Sequence, residues 1–149
     1  MLILGAGNAF RRDDAAGLHA ARRLRARTPA GVAVVELEGD LTAAVEAWKG
    51  HDAVVVIDAV CSGARPGAIL RLEVHARPVP AGLSRSSTHA FGVAEAVELA
   101  RALGTLPPQA IVYGIEGKSF AAGEGLSPEV ESAVGEVVER VLAEVSSHA

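Results

Sequence analysis

Asp58 closes an almost wholly apolar run, Ala53-Val54-Val55-Val56-Ile57, that reads as a buried strand. Burying an ion there costs on the order of several kcal/mol unless it is paired or binds a cation. Three further polar features fall where such a strand would end. Asp14 follows the loop Gly5-Ala6-Gly7-Asn8, His89 closes the segment Ser86-Ser87-Thr88-His89, and Glu116 ends a later apolar run. Two carboxylates and an imidazole, Asp14, Asp58 and His89, converging from three segments would form a transition-metal site with open coordination positions. Imidazole suits zinc and nickel, and this mixed oxygen and nitrogen set does not choose between them.

Each residue also has a plainer reading. Taken alone, Asp14 serves equally as a helix cap or dipole partner, with Asp13 the better cap of the pair. His89 alone reads as an exposed residue near a helix start. Glu116 reads as a partner of Lys118 or Arg12, and Arg11 and Arg12 as solvated loop charges. Cys61 reads as a small core residue; a Cys61–His89 dyad would have only Asp58 to orient it. Gly5-Ala6-Gly7 resembles the start of a dinucleotide fingerprint, but Phe10 stands where the third glycine belongs. Phosphate-loop, HExxH and GxSxG signatures are absent from the sequence.

The elements that must position these residues alternate between strand and helix. Leu2–Gly5 reads as a first strand, and a helix capped by Asp13 or Asp14 runs to about Arg27. Val32–Leu37 is a second strand and Leu41–Trp48 a short helix stopped at Gly50. After the strand Ala53–Ile57 and a turn at Ser62–Gly67, Ala68–Val74 alternates like a half-exposed strand. Its short connection makes it antiparallel to its neighbour. A helix from about His89 to Leu103, a strand Gln109–Ile115 and a last helix, capped by Ser127 with Pro128 in its first turn and ending near Val145, complete the order. The loops 76–87 and 117–125 read as surface segments that would set selectivity, and Trp48 and Phe91 as core residues. This alternation predicts an α/β fold, a three-layer α/β/α sandwich on a mostly parallel, twisted five-stranded sheet, in one domain over residues 1–149. Ligands of such sheets sit at the carboxyl ends of the strands, where the strand order switches direction.

Composition narrows the function. Half of the 149 residues are hydrophobic but only 3% are aromatic, which suits a core of Ala, Val and Leu. A net charge of −4 argues against nucleic-acid binding by phosphate neutralisation. The single cysteine leaves no internal disulfide or CxxC metal site. With no apolar run near the ~20 residues of a membrane span, the cytoplasm is the expected location, and with no long apolar face left over a monomer is expected.

The blocks Gly5-Ala6-Gly7-Asn8, Arg12-Asp13-Asp14-Ala15-Ala16-Gly17, Val56-Ile57-Asp58-Ala59, Ser87-Thr88-His89, Gly114-Ile115-Glu116 and Gly125-Leu126-Ser127-Pro128-Glu129-Val130 occur in this order. Together they resemble the nickel–iron hydrogenase maturation endopeptidases over nearly the whole chain. The resemblance implies an enzyme that senses nickel already inserted in a hydrogenase large-subunit precursor. It then removes a short C-terminal extension after a CxxCxxH- or CxxCxxR-like motif. It places the nickel-binding, catalytic trio on Asp14, Asp58 and His89, with the nickel carried by the substrate. Ala15 stands where many members have glycine, and Gly117 where many have proline. Two other readings use the same features: a non-cleaving, metal-sensing chaperone of the large subunit, and a small nucleotide-binding module built on Gly5–Asn8.

Overall fold

The computed structural model describes residues 1–80 and 91–148. Five strands form one sheet: β1 (Leu2–Gly7), β2 (Ala33–Glu38), β3 (Ala53–Val60), β4 (Ile69–Glu73) and β5 (Gln109–Glu116). Four helices accompany them: α1 (Ala16–Arg25), α2 (Thr42–Ala47), α3 (Val93–Leu103) and α4 (Pro128–His148), with a 3-10 turn at Arg12–Ala15 leading into α1. The strand order is β2-β1-β3-β5-β4, parallel except for β4, which pairs antiparallel with β5. This is the three-layer α/β/α sandwich expected from the alternation of patterns.

The apolar residues divide by strand alternation into two cores, one on each face of the sheet. Ile3, Val55, Ile57, Ile111, Tyr113 and Ile115 pack against α1 and α4. Leu2, Leu4, Val54, Val56 and Val112 pack against Leu41, Trp48 and the buried side of α3. Every residue of β3 is buried, as a continuous apolar run in a two-sided sheet requires. Trp48 is in the core and Phe91 packs against it, as expected. No helix of the described residues is long and apolar enough to cross a membrane.

Several boundaries differ from the sequence reading. β3 does not stop at Ile57. It runs to Val60, because β5 continues to pair with it through Val60 and Glu116, whereas its pairing with β1 ends at Gly5 and Ile57. The antiparallel β4 pairs with β5, not with the strand that precedes it in the chain. α1 starts at Ala16 without a side-chain cap and ends at Arg25. α3 starts at Val93, capped by Gly92, whose N–H donates to the Glu95 carboxylate at 2.8 Å.

β1 leads to β2 on one side, and the chain then crosses back to β3 on the other side of β1. The switch in direction therefore lies between β1 and β3, and the carboxyl ends of these strands are where a sheet of this kind places its ligand crevice.

Candidate functional site

The start of α1 rests on those strand ends. A Cβ on Gly17 would lie 2.2 Å from the Ile57 carbonyl oxygen and 2.4 Å from that of Ala6. A Cβ on Gly5 would lie 2.2 Å from the Gly17 carbonyl oxygen. Gly7, at φ +155°, lets the backbone of Asp14 come close; a Cβ there would stand 2.0 Å from the Asp14 carbonyl oxygen. The glycines of the Gly5-Ala6-Gly7 loop are thus accounted for by helix-to-strand approach, with no phosphate needed to explain them.

Among the described residues, the buried charged side chains are Asp13, Asp14, Asp58 and Glu116. All are acidic, and all lie at the carboxyl edge of the sheet. They divide by what they hold. The Asp13 carboxylate accepts the N–H groups of Lys118 (2.8 Å), Ser119 (2.9 Å) and Ser127 (2.7 Å), and the Ser127 hydroxyl (2.7 Å). Burial pushes the Asp13 carboxyl pKa up, but the hydrogen bonds from Ser127, Ser119 and Lys118 outweigh burial and hold it below the usual value, so it is an anion. The Glu116 carboxylate accepts the Ser62 N–H at 3.1 Å and the Ser62 hydroxyl at 2.6 Å, which fixes the turn after β3.

Asp13 is therefore neither the cap of α1 nor a metal candidate, and Glu116 does not pair with Lys118 or Arg12. Lys118 instead pairs with Glu129 at 3.0 Å. Ser127 does precede Pro128 at the start of α4, but its hydroxyl is directed to Asp13. Cys61 is exposed rather than part of the core.

Asp14 and Asp58 flank the crevice. Asp14 is fully buried in the 3-10 turn; its carbonyl accepts the Asn8 N–H at 3.2 Å, and its own N–H donates to Arg11 at 3.0 Å. The turn is thereby tied to the end of β1. Asp58 is the first residue of β3 beyond the pairing with β1, and it is 4% exposed. Its Oδ1 accepts the Ala59 N–H at 2.8 Å. By alternation it continues the Val54–Val56 series, on the face of α2 and α3. The chain enters α3 on that same face: the Phe91 carbonyl accepts the Leu41 N–H at 3.0 Å, and the Gly7 carbonyl accepts the Gly39 N–H at 3.2 Å. His89 lies outside the described residues. Among the described residues no group of three His, Cys, Asp or Glu side chains is arranged to hold a metal ion by itself.

The structure thus places two of the three expected residues, both buried, at the carboxyl edge of the sheet beside the β1–β3 switch. Two carboxylates at a strand-switch point are hard oxygen donors that suit a divalent cation or a proton-transfer role. What the sequence did not disclose is the clamp role of Asp13 and Glu116. Their donors are main-chain amides and hydroxyls from distant segments, and the one local hint was that two adjacent aspartates exceed what a single helix start needs.

The pattern of the family described as HycI, hydrogenase maturation protease, matches residues 19–144. The chain is 29% identical to the hydrogenase 2 maturation protease of Escherichia coli K12 over 96% of this chain and 88% of that protein. It is 28% identical to the hydrogenase expression/formation protein HupD of Thiocapsa roseopersicina over 95% of this chain, and spans 66% of HupD's length. The fold is similar to that of the [NiFe] hydrogenase maturation protease HybD from Thermococcus kodakarensis, with a TM-score of 0.77, 28% identity and 97% coverage of both chains. It is also similar to the hydrogenase maturating endopeptidase HybD from E. coli, with a TM-score of 0.80, 22% identity and coverage of 99% and 93%. The extent of the family match leads to one conclusion: this chain belongs to the hydrogenase maturation protease family.

Proposed function

We propose that the chain is an endopeptidase that removes the C-terminal extension of a nickel–iron hydrogenase large-subunit precursor, and that it docks on nickel carried by that substrate. The observation that supports this reading is the pair of buried carboxylates, Asp14 and Asp58, at the carboxyl edge of the sheet beside the β1–β3 switch. Family membership supports the peptidase activity. The trio Asp14, Asp58 and His89 comes from the sequence reading, with His89 supplying the nitrogen donor.

The chemistry follows from the donor set. Anions in a water-poor crevice cost several kcal/mol each, on the order of what a buried ion loses in hydration. A divalent cation presented by the substrate offsets that cost, whereas a precursor without metal brings nothing to offset it. Recognition is thus a test of loading. The docked nickel, as a Lewis acid, would polarise a carbonyl within its reach. The role of this chain's residues is to orient the metal-bearing segment so that the peptide bond beyond it lies in the crevice. Rigid placement serves this: the Asp14 turn is tied to β1 and Asp58 belongs to the central strand. We place the enzyme in the cytoplasm, where an exposed free thiol such as Cys61 persists in reduced form, and take it to act as a monomer.

The test is a mass measurement on a large-subunit precursor, nickel-loaded and nickel-free, with wild-type protein and Asp58→Asn. Release of a short C-terminal peptide from the loaded precursor by wild type alone is expected. Cleavage of the loaded precursor by Asp58→Asn at the wild-type rate would remove Asp58 from the site. Binding without peptide release would replace the endopeptidase with a metal-sensing chaperone.

A further inference from the structure

The feature the proposed chemistry does not use is the Asp13 carboxylate. It is fully buried and adjacent in sequence to Asp14, yet its four hydrogen bonds all run to one loop, residues 117–127. Lys118 and Ser119 stand at the beginning of that loop and Ser127 at its end, so one side chain holds both of its feet. Main-chain bonds complete the attachment. The Asp13 N–H donates to Ser119 at 3.0 Å, the Arg12 N–H to Gly123 at 3.1 Å, and the Gly123 N–H to Phe10 at 2.8 Å. The middle of the loop is thereby laid along residues 10–12, the segment that leads directly into Asp14.

This arrangement exceeds what stability asks for. A buried anion satisfied only by neutral donors has lost its hydration, and well-packed apolar groups of similar volume are often as stabilising. What a carboxylate adds is direction, because its donors must converge on two oxygens at fixed angles. The result is a common rim made of the loop and of the turn that bears Asp14. Lys118, Ala121, Ala122, Glu124 and Gly125 are exposed along it, open to a polypeptide substrate. Arg12 is held at φ 47°, a left-handed conformation that a non-glycine residue adopts only where its surroundings enforce it.

We propose that Asp13 is a positioning residue. Its carboxylate locks the 117–127 loop to the Asp14 turn, so that the loop aligns the substrate's scissile segment with the carboxylates of the crevice. The kinetic part of this inference rests on the endopeptidase reading; the structural part does not.

The experiment uses Asp13→Asn and Ser127→Ala. In Asp13→Asn, the amide oxygen can replace Oδ2 and accept from Lys118 and Ser119. The amide NH2 then faces the Ser127 N–H, so that main-chain bond is lost and only the Ser127 hydroxyl still holds this foot of the loop. Ser127→Ala removes only the hydroxyl donor and leaves the three main-chain bonds. In hydrogen–deuterium exchange, Asp13→Asn should speed the amides of residues 117–127 by about tenfold or more while those of β3 and β5 keep their protection. On nickel-loaded precursor its kcat should fall by about tenfold or more with KM moved by less than about threefold, the pattern of lost alignment rather than lost binding. Ser127→Ala should fall between the two.

Unchanged exchange in the loop of Asp13→Asn overturns the clamp, whatever the precursor does. Loosened exchange with wild-type kcat and KM overturns the positioning role and leaves Asp13 a structural tie. A wild type that cleaves no precursor overturns the endopeptidase reading and the kinetic claim with it, while the exchange result still decides whether Asp13 holds the loop.

Discussion

Gly17 lies against Ile57 so closely that a methyl group on Gly17 would stand 2.2 Å from the Ile57 carbonyl oxygen. The obstruction is backbone on both sides, since the Ala6 carbonyl oxygen would be 2.4 Å away. Gly17→Ala must therefore lift the first turn of α1 off the strand ends. Overpacking typically costs about 1–3 kcal/mol, and a backbone obstruction on both sides puts this position at the upper end. A clear drop in the thermal midpoint is expected, with loss of cleavage in the fraction still folded, because Asp14 moves with the turn. An unchanged midpoint would mean that α1 does not rest on β1 and β3.

Asp58→Asn should part function from stability. The substitution keeps shape and removes a charge that burial penalises by several kcal/mol, on the order of a buried ion's lost hydration. Unfolding by denaturant should therefore occur at the same or a higher concentration than in wild type. Peptide release should fall by about a hundredfold or more, the scale of losing one charged group at a reacting centre. Loss of both properties together would mark Asp58 as structural.

His19, on α1, gives a stability signature in mildly acidic solution. Burial lowers its pKa below the ordinary 6.5, the Arg22 and Arg23 charges lower it further, and Glu131 and Glu36 act in the opposite direction. A folded state that disfavours the imidazolium binds fewer protons than the unfolded chain. The contribution of His19 is thus fully present above pH 6.5 and is lost as pH falls from there through the lowered folded value. His19→Gln should flatten the fall in unfolding free energy between about pH 7 and pH 5. Parallel curves for variant and wild type across that window would count against the assignment.

Trp48 is 1% exposed in the core on the α2 and α3 face. Trp48→Ala should cost about 3–5 kcal/mol, as large-to-small core substitutions do. Cleavage by whatever remains folded should show an unchanged KM. A raised KM with a normal unfolding midpoint would instead move Trp48 to a peptide-binding surface.

Much of this architecture was legible because it is written locally. β3 was recognisable as central from five consecutive apolar residues, and Asp58 stood out because it interrupts them. Gly50 and Pro128 marked helix limits by backbone chemistry that acts within a residue or two. The misread features depend on partners remote in sequence. The end of β3 is set by Glu116 on β5 opposite Val60, and the place of β4 by the same strand. Asp13 looked like a cap because Asp before a helix commonly is one; its true donors, at Lys118, Ser119 and Ser127, leave no trace in the local pattern. α3 begins at Val93 because Gly92 and Glu95 share a hydrogen bond, a signal present in the sequence but weaker than the polar run before it.

The strand order has a consequence for how the chain is made. β5 lies between β3 and β4, yet both are synthesised before it. Until residue 109 has left the ribosome, one edge of the most apolar strand has no partner, and β4 has no strand to join. The nascent chain therefore carries an open, sticky edge through the whole synthesis of α3, and closes it only when β5 pairs with β3 and gives β4 a partner. The last strand to arrive is also the one that brings Glu116 and the loop that Asp13 grips, so the rim of the crevice is assembled in the same step that seals the sheet.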